Sequence, residues 1–115
     1  MEGDELTLEA ARQELIRLLG SDECFSTERA EKEGKAILRR DGLPATERGI
    51  VAYVLNLLQA NYPMHKIKRG QPEGALPDGY VMNNADGRGL YIELILEDDR
   101  AWIISVHTSK HYRGS

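Results

Sequence analysis

The sequence predicts an α+β domain: about three N-terminal helices packed on one face of a C-terminal antiparallel sheet of three to four strands. Two patterns carry this expectation. Apolar residues recur at helical spacing in three stretches between residues 6 and 60, and they alternate at strand spacing between residues 80 and 107. The chain has 115 residues and is 41% apolar, which suits one core and one domain. Within a single domain 1–115, residues 1–45 form a helical N-terminal segment, and residues 46–113 form a core helix plus the sheet.

The first helix is expected over residues 6–19, where Leu8, Ala11, Leu15 and Leu18 make one stripe and Leu19 widens it. Asp4 or Thr7 suits its N-cap, and Gly20 its end. Residues 21–25 read as a loop that Phe25, the single phenylalanine, anchors in the core. The second helix is expected over residues 27–40, capped by Ser26, with Glu28 in its first turn and Lys35, Arg39 and Arg40 towards its end. Its apolar stripe is thin (Ala30, Ile37, Leu38, with Gly34 between), so it is either mostly solvated or packs through small residues. The third helix, over residues 47–60 with Thr46 as cap, is the most apolar and is expected to lie centrally across the sheet. Asn61-Tyr62-Pro63 stops it, because the residue before proline avoids helical angles.

The remainder reads as sheet. Strands are expected over residues 64–69, 80–84, 90–97 and 101–107, with a glycine- and proline-rich loop at 70–79 and a turn at Asp86-Gly87. A three-residue loop, Asp98-Asp99-Arg100, would set Leu96 opposite Trp102, Leu94 opposite Ile104 and Ile92 opposite Val106 on an apolar face. The other face would carry Tyr91 opposite His107, Glu93 opposite Ser105 and Ile95 opposite Ile103.

The formal net charge is −4, and all of the imbalance lies in residues 1–60. Phosphate attraction needs a basic face, so a nucleic-acid surface is expected only in the second half, which also holds all three histidines. The single cysteine, Cys24, excludes an intrachain disulfide, and a small buried thiol suits it better than a nucleophile. No apolar run reaches the roughly 18–20 residues of a membrane span. The N-terminus is acidic where a signal peptide is basic and then apolar, and these features fit a cytoplasmic protein. Zinc-ligand spacing, GxSxG, Walker and Rossmann motifs are absent, so neither a metal nor another cofactor is expected.

Two basic segments carry the candidate chemistry. Residues 107–113 place His107, Lys110, His111, Tyr112 and Arg113 at the end of a strand. RNA transesterification needs a base for the 2′-hydroxyl, an acid for the leaving 5′-oxygen and cations for the phosphorane. Histidine suits the first two roles, and Glu93 is an alternative base if it shares the same face. His65, Lys66, Lys68 and Arg69 would extend the patch by holding phosphate, provided their strand neighbours the last one. Each segment also has a plainer reading: a polar solvated tail at 110–115, and an edge strand that its lysines protect against aggregation.

The stretch from Gly89 to His107, two apolar strands around the acidic turn Glu97-Asp98-Asp99, resembles the closing hairpin of RelE/ParE-like toxins. Residues 46–113 as a whole resemble the barnase–EndoU–colicin–RelE superfamily of small ribonucleases, though this chain is acidic and two further helices precede the match. The resemblance implies helices before a curved antiparallel sheet, with active residues projecting from the sheet and its last strands. It implies catalytic roles for His107, Lys110 and Tyr112, with Arg113 on phosphate. Two functions therefore stand as expectations. One is a metal-independent ribonuclease acting on RNA phosphodiesters. The other is an acidic, non-catalytic regulator of immunity, antitoxin or inhibitor type. The latter would meet a basic protein through its helical half, at residues such as Glu9, Glu14, Asp22, Glu23, Glu28 and Glu31. An ordinary solvated face accounts for the same charges, and a small-molecule sensor using the open sheet face is a third class.

Overall fold

Each helix begins at a threonine. The computed structural model describes residues 7–67, 79–83, 89–97 and 99–108. In it the hydroxyls of Thr7, Thr27 and Thr46 accept the backbone N–H of Ala10, Ala30 and Gly49 at 3.0, 3.0 and 2.9 Å. They open α1 (Leu8–Gly20), α2 (Glu28–Arg40) and α3 (Glu47–Gln59). The cap of α2 is Thr27 and not the expected Ser26, because Ser26 is committed to a strand. Left-handed residues turn the chain out of the helices: Asp22 (φ 64°), Gly42 (φ 74°) and Asn61 (φ 64°). After two of them the next amide reaches back, Glu23 N–H to the Leu18 carbonyl at 2.9 Å and Leu43 N–H to the Leu38 carbonyl at 2.8 Å. Carbonyls left open at the helix ends are thereby satisfied.

The strands are β1 (Cys24–Ser26), β2 (His65–Ile67), β3 (Gly79–Asn83), β4 (Leu90–Glu97) and β5 (Arg100–Thr108). They form one five-stranded sheet in the order β1-β5-β4-β3-β2. The expected α+β class holds, but the sheet is larger than expected and mixed, since β1 runs parallel to β5 while the other pairs are antiparallel. The extra strand is the segment expected to be a loop. Phe25 is correspondingly not a core anchor: it is 48% exposed and stacks on Trp102 with ring centroids 5.1 Å apart.

The β4–β5 hairpin keeps Tyr91 opposite His107, Ile92 opposite Val106 and Glu93 opposite Ser105, as expected. Nearer the turn the register differs. Glu97 pairs with Arg100, Leu96 with Ala101, Ile95 with Trp102 and Leu94 with Ile103. The connection is thus two residues long, and a bulge at Ile104 absorbs the offset. The bulge moves Ala101 and Ile103 onto the core face, leaving Trp102 and Ile104 half-buried outside it.

The core lies between the helices and one sheet face. Leu15, Leu18, Val54 and Leu58 meet Met82, Leu90, Ile92, Leu94 and Ile103, all at 0% exposure. Helix α2, rather than α3, runs closest to the sheet, along β5, and α3 packs on α1 and α2. Thin as its stripe is, α2 packs through small residues. A Cβ on Gly34 would come within 2.8 Å of Ile50 Cγ1. Among the described residues no helix is long and apolar enough to cross a membrane.

Candidate functional site

Side chains of directly paired residues project to the same side of a sheet, so the register fixes what the face away from the helices displays. One row across it is Asn83, Tyr91 and His107. The next is His65, Val81, Glu93 and Ser105. A third is Ile67, Gly79, Ile95, Trp102 and Phe25. Val81 and Ile95, at 2% and 7% exposure, give this outer face an apolar floor.

Of the residues singled out in the sequence, His107, Glu93 and His65 therefore share one face. Lys66 does not: it pairs with Tyr80, a core residue, and lies on the other side of β2. Nor are β2 and β5, the described parts of the two basic segments, neighbours in the sheet. Strand β2 is three places from β5, about 14 Å at ordinary strand spacing. The condition that the two strands neighbour each other is therefore not met, since β3 and β4 intervene. Lys68, Arg69, Lys110, His111, Tyr112 and Arg113 lie outside the described residues.

The His107 ring is stacked at a tilt on Tyr91, with centroids 5.1 Å apart. Its Nδ1 lies 3.1 Å from the Thr108 carbonyl. A carbonyl only accepts, so Nδ1 carries the hydrogen and the lone pair of the neutral ring sits on Nε2. The Tyr91 hydroxyl points its donor at Glu93 Oε1, at a long 3.5 Å.

Two residues of α2 complete the cluster. Glu33 Oε1 accepts the Ser105 hydroxyl and the Val106 N–H, each at 3.0 Å, and its Oε2 accepts Arg29 Nε at 2.9 Å. Strand β1 covers only the first part of the outer edge of β5, and the Glu33 carboxylate satisfies the amide beyond it. Burial alone would raise this carboxyl. The Arg29 guanidinium, the Val106 N–H and the Ser105 hydroxyl, with a smaller contribution from the nearby His107, outweigh it and hold Glu33 below its ordinary value. Arg29 is pushed up, first by its hydrogen bond to Glu33 and then by that residue's charge, with smaller contributions from Glu93 and Tyr91. Arg29 thus lies within electrostatic reach of the β4 face, and its side chain is 69% exposed.

Arg29 and Glu33 are the residues that sequence reasoning missed. Their four-residue spacing signals a helical ion pair, but only the parallel β1–β5 pairing brings that helix turn to the end of β5. Among the described residues no three histidine, cysteine, aspartate or glutamate side chains converge to share a metal ion. No protein-family model, curated protein or solved structure matches the chain.

Proposed function

We propose that the outer face of β4 and β5 is an RNA-cleaving surface, and that the protein is a metal-independent ribonuclease of the toxin-like kind. The observation that carries this reading is His107. It is set in a strand, with Nδ1 tied to a backbone carbonyl and Nε2 left as the basic nitrogen, beside Tyr91 and on one face with Glu93. In the reaction His107 Nε2, or Glu93, takes the 2′-hydroxyl proton. The 2′-oxygen bonds to phosphorus, the P–O5′ bond breaks, and an acid from the following segment, His111 or Tyr112, protonates the leaving 5′-oxygen. Arg29, with Lys110 and Arg113, offsets the charge on the phosphorane.

Incubation with mixed cellular RNA in excess EDTA tests this, with His107→Ala, Glu93→Gln and Lys110→Ala beside the wild type. Cleavage that His107→Ala reduces by about two orders of magnitude or more is expected, the range typical of a lost general base. RNA left intact by the wild type, or cut equally by His107→Ala, would contradict the proposal. One observation favours the regulator reading: Glu9, Asp22, Glu23 and Glu28 are all exposed on the helical half. That reading predicts salt-sensitive binding of a basic protein without RNA cleavage.

A further inference from the structure

The opposite end of β5 meets a surface of different character. Ala101 N–H donates to the Glu23 carbonyl and Thr27 N–H to the Ile103 carbonyl. Residues 23 and 27 therefore direct their backbone towards β5. By strand alternation Phe25 does the same, while Cys24 and Ser26 direct their N–H and C=O groups away from the sheet. As the terminal strand, β1 offers those groups as a short edge on which another strand can pair.

Its two sides differ. On the outer face Phe25 is 48% exposed, stacked on Trp102, with the Arg100 guanidinium 5.3 Å from its ring centroid. On the helix side a groove of about 390 Å³ is lined by Asp22, Cys24, Ser26, Glu31, Glu47 and Arg48 among others. Three of its charged groups are acidic and one basic. Interaction with the Glu47 carboxyl, then desolvation and that residue's charge, raise the Glu31 carboxyl, with Lys35 opposing them, so the two acids lie close together. A cation placed there would meet two acids already crowded together.

We propose that β1 is a docking edge for an extended, lysine- or arginine-bearing segment of a partner protein, which adds to the sheet as a sixth strand. Main-chain pairing with Cys24 and Ser26 gives it register. Alternate side chains then fall on opposite sides, basic ones into the acidic groove and an apolar one against Phe25. The site is independent of the RNA-cleaving reading: Trp102 and His107 are five residues apart on β5, about 16 Å along the strand.

The probe is a fluorescein-labelled octapeptide of alternating lysine and valine, with a glutamate–valine peptide as control, titrated against the full chain. Binding is read by anisotropy and by the emission of Trp102, the single tryptophan, which lies beneath Phe25. The lysine peptide is expected to bind saturably and shift that emission, and the glutamate peptide to do neither. The Glu31→Lys/Glu47→Lys variant should weaken binding at least about tenfold, while the equal charge change Glu9→Lys/Glu14→Lys on α1 leaves it within about twofold. Ser26→Pro, which removes an outward N–H, should weaken binding while the melting temperature stays near that of wild type. The proposal is overturned if the lysine peptide does not saturate, if both peptides bind alike, or if the two charge-reversed variants weaken binding equally.

Discussion

Arg12 and Glu33 are two charged side chains that the fold draws inward, and distant parts of the chain hold each of them. Arg12 is only 7% exposed. It donates from Nη1 to the Leu58 carbonyl at 3.1 Å and from Nη2 to the Tyr62 carbonyl, clamping the C-terminal end of α3 to α1. Arg12→Ala leaves those carbonyls without their cation, and equilibrium urea unfolding should show a loss of about 2–4 kcal/mol. Glu33 gives a pH signature. Because its folded value lies below the ordinary 4.5, its contribution is fully present above that value and is lost as pH falls through the folded value. Melting temperatures of wild type and Glu33→Gln should therefore differ most near neutrality and converge as pH falls through the lowered folded value. A constant difference at every pH would assign Glu33 no ionised role.

At the scale of elements, the contact of α2 with α3 depends on a missing side chain. Glycine costs a helix about 1 kcal/mol relative to alanine, so Gly34→Ala should stabilise an exposed helix. Here the added Cβ would meet Ile50 Cγ1 at 2.8 Å and Cδ1 at 2.9 Å, and Ile50 is 1% exposed. Gly34→Ala should instead cost about 1–2 kcal/mol, and in an Ile50→Ala background it should cost nothing or help. Denaturant midpoints of the four proteins in that cycle check it. The helices were legible because hydroxyl caps and apolar stripes are local signals, although at α2 the adjacent hydroxyls of Ser26 and Thr27 put the expected cap one residue early. The far end of the last hairpin was legible for the same reason, but its turn was not. A three-residue turn, and a two-residue turn followed by a bulge, give the same pairing from Glu93 and Ser105 onwards. The outer sequence pattern therefore cannot separate them. Strand β1 left no signal because three residues show no alternation, and its pairing partners on β5, Cys24 with Ala101 through Ser26 with Ile103, lie 77 positions away.

For the whole molecule, the charge and the site occupy different places. The −4 imbalance lies in the first 60 residues. The outer face gathers His65, Glu93 and His107 from three strands, and the charge of Arg29 on α2 reaches it. Glu93 and His107 were legible as neighbours because they belong to one hairpin. The link to His65 through Val81 follows from a strand order that no local pattern encodes, whereas the placing of Lys66 on the opposite face from His65 is plain strand alternation. In the proposed reaction this face uses the 2′-hydroxyl of RNA as its nucleophile. The most direct test is chromatography of the products from a short oligoribonucleotide and its 2′-deoxy counterpart in excess EDTA. Transesterification at this face should give 2′,3′-cyclic phosphate ends from the ribonucleotide, an intact deoxy strand, and loss of the product with His107→Ala. Equal cutting of both strands, no cutting of either, or cyclic phosphate formed undiminished by His107→Ala would contradict it.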